Sequence, residues 1–155
     1  MTESPRYTVL VVDDEESVRN LIGTLLSGLG YSSITAVDGV DALDRMKGKK
    51  IDAVITDIKM PKMDGVGLTI EILKRNPGLP ILVMTAFDEE YSAGAAIAAG
   101  AREYIKKPFS PDEFFGQLQK MMKDSETIKR LKTEKVLDEN VQDLMGELEE
   151  TLKDR

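Results

Sequence analysis

The chain has no cysteine and no histidine. Without cysteine there are no disulfides, no thiolate nucleophile and no thiolate metal site, and the lack is compatible with a cytosolic chain. Without histidine there is no imidazole base, no histidine zinc site and no phosphohistidine made on this chain, so any chemistry must use carboxylates, hydroxyls, lysines or a hard metal ion. Long apolar runs are missing too. Nothing approaches the roughly 20 residues of a membrane span, and the opening MTESPR lacks the apolar segment of a signal peptide. A soluble, cytoplasmic protein with no membrane partner is expected. Positive charge is in deficit: 21 Lys and Arg stand against 28 Asp and Glu, a formal net charge of -7. That balance opposes binding to nucleic acid phosphates or an anionic membrane surface and favours a protein partner.

What is present suits one domain with an appendage. A chain of 155 residues with 41% hydrophobic content can bury an ordinary core. Thr8 to Val12 is a continuous apolar run that stops at Asp13 and Asp14, the pattern of a strand buried on both faces. From Glu15, Val18, Leu21, Ile22, Leu25, Leu26 and Leu29 recur at helical spacing, with Gly30 as a stop. Ile34 to Val37 makes a second strand, Asp38-Gly39 a turn, and Val40, Leu43 and Met46 a short helix closed by Gly48. A third round comprises Ala53 to Thr56, a loop around Asp57, and a helix from about Gly65 to Asn76, which Pro77 blocks. Ile81 to Met84 then forms a strand ending at Thr85. It is followed by a small-residue helix from about Glu89 to Ala99, a strand from Glu103 to Ile105, and a last helix that tolerates Pro111 in its first turn. Five alternating strand and helix units imply an α/β fold, a doubly wound parallel sheet with right-handed crossovers.

Asp13, Asp14, Asp57, Thr85 and Lys107 all lie just past strand ends, so the topology gathers them at one sheet edge, where ligands bind in open parallel sheets. Each has an ordinary reading alone, as a helix start, turn residue or surface charge. Together, three carboxylates in close quarters raise one another's pKa unless a cation offsets them. A hard divalent ion is the natural remedy. Mg²⁺ takes one or two carboxylates with waters and a phosphate oxygen, so the set suits a metal plus a phosphoryl group, with Lys107 as a second cation and Thr85 as a hydroxyl donor.

Over about residues 6 to 123 the chain resembles a receiver domain of the two-component response regulators. The resemblance is carried by Asp13-Asp14, the block DIKMPKMDG from Asp57 to Gly65, Thr85-Ala86, Tyr104, and Lys107-Pro108-Phe109, in family order and spacing. It implies a flavodoxin-like, five-stranded sheet in the order 2-1-3-4-5. It also implies that Asp57 is a phosphoacceptor attacking the phosphohistidine of a separate histidine kinase or phosphotransfer protein. Asp14 and Asp57 would ligate Mg²⁺ directly with the backbone carbonyl of Lys59, Asp13 would act through a water, and Lys107 would pair with the phosphoryl oxygens. Thr85 and Tyr104 would form the switch that alters the surface of the fourth helix, fifth strand and fifth helix. The Lys107-Pro108 bond is expected to be cis, and Phe87 to shield the phosphate from water. The module would be a signalling domain, not an enzyme that turns over a separate substrate.

A receiver at 1–123 leaves 124–155 as a helical extension. Phe114, Leu118, Met121 and Ile128 keep nearly a 3.5-residue spacing. Leu137, Val141, Leu144, Leu148 and Leu152 form a second register, out of phase near Lys132 to Asp138. A homodimer is expected through this helix as a short coiled coil, through the switch surface, or both. The alternative is a linker in a longer regulator, such as an AAA+ transcription activator or a cyclic dinucleotide enzyme. Two other classes fit poorly. An aspartyl phosphatase needs a second acid two residues after the nucleophile, where this chain has Lys59; a flavodoxin-like cofactor module needs a phosphate cradle where DDEES would repel phosphate.

Overall fold

A computed structural model describes residues 6–86 and 90–153 of the chain. The five alternating rounds are present: β1 (Thr8–Val12), α1 (Glu16–Gly28), β2 (Ser32–Ala36), α2 (Gly39–Met46), β3 (Ala53–Asp57), α3 (Gly65–Arg75), β4 (Ile81–Thr85), α4 (Glu90–Ala99), β5 (Glu103–Lys106) and α5 (Pro111–Lys153). The strands form one parallel sheet in the order β2-β1-β3-β4-β5, as expected.

The continuous apolar runs are explained by the two faces of the sheet. Successive strand side chains alternate faces. Leu10, Val12, Val54, Ile81 and Val83 enter one core with Ala42 of α2, Leu68 and Ile72 of α3, and Ala93 and Ala96 of α4. Val9, Val11, Ala53, Ile55, Leu82, Met84 and Ile105 enter the other, with Ile22 and Leu26 of α1 and Phe114, Leu118 and Met121 of α5. Every residue of β3 and β4 is buried.

Helices α2 and α3 start where their sequences supply acceptors for orphan backbone donors. The Asp38 carboxylate accepts from Asp41 N at 2.7 Å to open α2, and Asp64 accepts from Gly67 N at 2.7 Å to open α3. Past α1, Gly30 adopts φ +79°, the left-handed turn that suits glycine.

Two differences from the sequence reading have local causes. β2 runs from Ser32 to Ala36, not Ile34 to Val37, because pairing with Thr8 and Val9 holds polar Ser32 and Ser33 extended, while Val37 is 46% exposed. β3 includes Asp57, which pairs with Met84, so the carboxylate belongs to the strand's last rung. The phase change near Lys132 to Asp138 falls inside α5, which runs from Pro111 to Lys153. Two compact units divide between Met122 and Lys123. Among the described residues, no helix is long and apolar enough to cross a membrane.

Candidate functional site

Asp13 is fully buried just past β1, Asp14 beside it is exposed, and Asp57 at the end of β3 is 8% exposed. The β1 and β3 ends are adjacent in the sheet, with Val12 opposite Thr56. One carboxylate oxygen from each of Asp13, Asp14 and Asp57 can be chosen so that all three lie within 4.8 Å of one another. Oxygen donors so grouped have the chemistry of a hard-cation site.

Each acid is held by the backbone around it. Asp13 Oδ1 accepts from Glu15 N at 2.9 Å, and Asp13 N donates to the carbonyl of Ala36 at 3.2 Å. Asp57 Oδ1 accepts from Ile58 N at 2.9 Å, and the buried Thr56 hydroxyl donates to the Asp57 carbonyl at 2.9 Å. Lys107 reaches in from the loop after β5: its Nζ lies 3.0 Å from Asp13 Oδ2 and 3.3 Å from Asp57 Oδ2. The Lys107-Pro108 peptide is cis, and Lys107 N donates to the Thr85 carbonyl at 2.7 Å.

The electrostatics follow from burial and this bridge. Burial disfavours the charged form of Asp57, and the Asp13 charge adds to it. Lys107 opposes both, and the net effect lifts the Asp57 carboxyl from 3.8 to about 6. For Lys107, burial works to lower the pKa, but the hydrogen bond to Asp13 and the charges of Asp57 and Asp13 outweigh it and leave the ammonium above its ordinary value. At neutral pH Asp57 is therefore largely an anionic carboxylate beside a fixed ammonium.

Thr85 ends β4 next to Asp57, 1% exposed, with its hydroxyl at 3.5 Å from the Ile105 carbonyl. Tyr104 on β5 is 43% exposed. A cavity of about 460 Å³ is lined by Thr85, Ala93, Gly94, Ile97, Tyr104 and Lys106, so space exists between the hydroxyl and the aromatic ring. Lys59 is exposed in the loop two residues beyond Asp57. Phe87 lies outside the described residues.

Sequence reasoning missed the contacts of three residues. Gly65 N donates to the Ile58 carbonyl at 2.7 Å, and a Cβ at Gly65 would collide with the Asp57 carbonyl oxygen and come within 2.9 Å of Ile58 Cα. A Cβ at Gly39 would press on Met63 Cβ at 2.8 Å, so the loop after β3 closes against the start of α2, where Lys62 Nζ also lies 3.7 Å from Asp38 Oδ2. Arg19 Nη1 donates to the Asp13 carbonyl at 2.8 Å. The glycines stood at helix starts, where a tight approach is a known use of glycine, but nothing in the sequence singled out Arg19 from other helix cations.

Residues 9–119 match the family described as the response regulator receiver domain. Among curated proteins, the alkaline phosphatase synthesis transcriptional regulatory protein PhoP of Bacillus subtilis is 38% identical over 118 residues, 76% of this chain and 49% of that protein. The chain thus spans about half the length of that relative. Among solved structures, NtrX from Brucella abortus has a TM-score of 0.80 at 30% identity, covering 83% of this chain and 29% of that one. The chemotaxis protein CheY4 of Vibrio cholerae has a TM-score of 0.71 at 30% identity, covering 76% of this chain and 99% of that one.

Proposed function

This chain belongs to the response regulator receiver domains, and from that premise we propose that it is a phosphorylation switch in which Asp57 takes a phosphoryl group from a phosphohistidine on a histidine kinase or histidine phosphotransfer protein. The observation that carries this reading is the Lys107 ammonium placed between the carboxylates of Asp13 and Asp57. An Asp57 oxygen attacks phosphorus, the phosphorus–nitrogen bond breaks with its electron pair returning to the donor imidazole, and an aspartyl phosphate results. Asp14, Asp57 and the Lys59 carbonyl would hold Mg²⁺, with Asp13 acting through a water; the ion supplies charge neutralisation for the transferring group. Lys107 pairs with a phosphoryl oxygen.

The donor's docking surface is next to the lysine. Val18, Leu21, Pro108 and Phe109 line, with Lys107, an apolar cavity of about 340 Å³, and Leu21 is 50% exposed. On the other side, the space lined by Thr85 and Tyr104 lets the hydroxyl move toward a new phosphate and the ring follow it inward, changing the α4-β5-α5 face. Homodimerisation through that face or through 124–155 is the proposed readout. Exposed apolar Ile128 and Leu131 support the second route.

Relatives named as transcriptional regulators weigh against the expectation of no nucleic acid contact, which rested on this sequence's charge and its lack of a helix-turn-helix signature after the receiver. They also favour a second reading, in which residues 1–123 are the receiver and 124–155 the connecting helix of a longer regulator. Incubation with Mg²⁺ and acetyl phosphate, followed by peptide mass spectrometry, tests the assignment: label is expected on Asp57 and lost in Asp57→Asn. Sedimentation before and after labelling, compared with a chain ending at Lys123, tests the dimer; equal monomer masses throughout would refute it.

A further inference from the structure

From its contact with the acid pair, we infer that Arg19 is a positioning residue for the metal site, fixing the peptide plane between Asp13 and Asp14; this rests on the Mg²⁺ reading above. The two acids have opposite situations. The Asp13 carboxylate is buried and held by Glu15 N and Lys107 Nζ at 2.9 and 3.0 Å. Asp14 is exposed, and among the described residues its carboxylate has no hydrogen-bond or ion-pair partner, so its backbone, which fixes the Cα–Cβ direction, is the restraint on where it can reach.

That backbone is the Asp13–Asp14 peptide. Its carbonyl accepts the Arg19 guanidinium at 2.8 Å, a charge-assisted hydrogen bond in partly buried surroundings. Arg19 in turn sits in the first turns of α1, where its own N donates to the Glu15 carbonyl at 3.1 Å. The side chain therefore ties the peptide that aims Asp14 to a rigid helix. A residue that orients a ligand without touching the ion controls affinity through geometry, and loss of such partners typically costs about 10- to 100-fold in metal binding.

The sign of the effect separates this role from simple electrostatics. Arg19 is a cation near a cation site, so removing its charge alone strengthens Mg²⁺ binding. Removing an orienting bond weakens it. The experiment is an amide chemical-shift titration of the intact chain with MgCl₂, using parent, Arg19→Gln and Arg19→Lys proteins. The same spectra report folding, and thermal midpoints are recorded alongside. Arg19→Gln is expected to bind Mg²⁺ about tenfold more weakly, and Arg19→Lys, which keeps the charge and a donor, less weakly than that. Unchanged or tighter binding in a folded Arg19→Gln protein would overturn the inference, as would a lowered thermal midpoint with unchanged affinity. A parent protein whose Asp14 and Asp57 amides do not respond to Mg²⁺ would overturn the metal reading itself, and the role of Arg19 with it.

Discussion

Replacing Asp57 by asparagine should make the metal-free protein more stable at neutral pH. Burial and the neighbouring Asp13 raise the folded-state pKa of Asp57 to about 6 from 3.8, even after the attraction of Lys107 is included. A carboxyl raised in this way binds its proton more tightly in the folded chain than in the unfolded one. Its contribution is therefore fully favourable below pH 3.8 and is lost as pH climbs through about 6. The shift of about two units, at 1.36 kcal/mol each, is worth about 3 kcal/mol at pH 7 and about half that at pH 5. Asparagine has nearly the same shape and does not ionise, and Lys107 keeps its 3.0 Å contact with Asp13. Urea unfolding in EDTA, from pH 5 to pH 7.5, should show the variant gaining on the parent as pH rises. Adding Mg²⁺ should narrow the gap, since an ion bound only by the folded parent stabilises it by mass action. A variant no more stable than the parent at pH 7, or a difference that does not change with pH, would refute the reasoning.

Gly65→Ala should damage both stability and acceptance of phosphate, since the added methyl meets backbone at Asp57 and Ile58, which cannot swing aside as a side chain can; a loss of about 1 to 3 kcal/mol is expected by chemical denaturation, with slower labelling from acetyl phosphate. Gly94→Ala is the opposite case: its Cβ meets nothing within 4 Å, so relief of glycine's helix penalty should raise stability by about 0.5 to 1 kcal/mol in the same assay. Leu21→Asp, at an exposed position beside the Lys107 loop, should slow transfer from a phosphorylated donor protein while leaving labelling by acetyl phosphate unchanged; equal slowing of both would remove Leu21 from the docking surface.

The strands were legible because both faces of the sheet are covered, which turns Thr8 to Val12 and Ile81 to Met84 into unbroken apolar runs. Asp13, Asp57 and Thr85 were legible for the complementary reason, each being a polar residue where such a run stops, and Lys107 because it stands just past the last strand. The start of β2 was not, because an edge strand owes its extended backbone at Ser32 and Ser33 to its neighbour. Nor were the contacts of Gly65 and Arg19, which depend on how a loop and a helix pack against backbone carbonyls, and backbone leaves no mark in residue type. The course of α5 through its phase change was equally hidden, since apolar spacing reports which side of a helix is covered and says little about where the helix ends.

The two-sided burial of the sheet also bears on how the chain finds its alignment. In a sheet with one wet face, sliding a strand by one residue turns its apolar side chains into water, and that cost enforces the pairing. Here a slip of β3 would only exchange Val54 for Ala53 or Ile55 between two dry cores. The penalty falls instead on the strand's last residue, because drawing Asp57 inward past Met84 would strip its carboxylate of Lys107 and of water. The buried Asp57 carboxylate thus doubles as an alignment stop for the middle of the sheet, and a substitution that makes position 57 apolar would remove a folding signal.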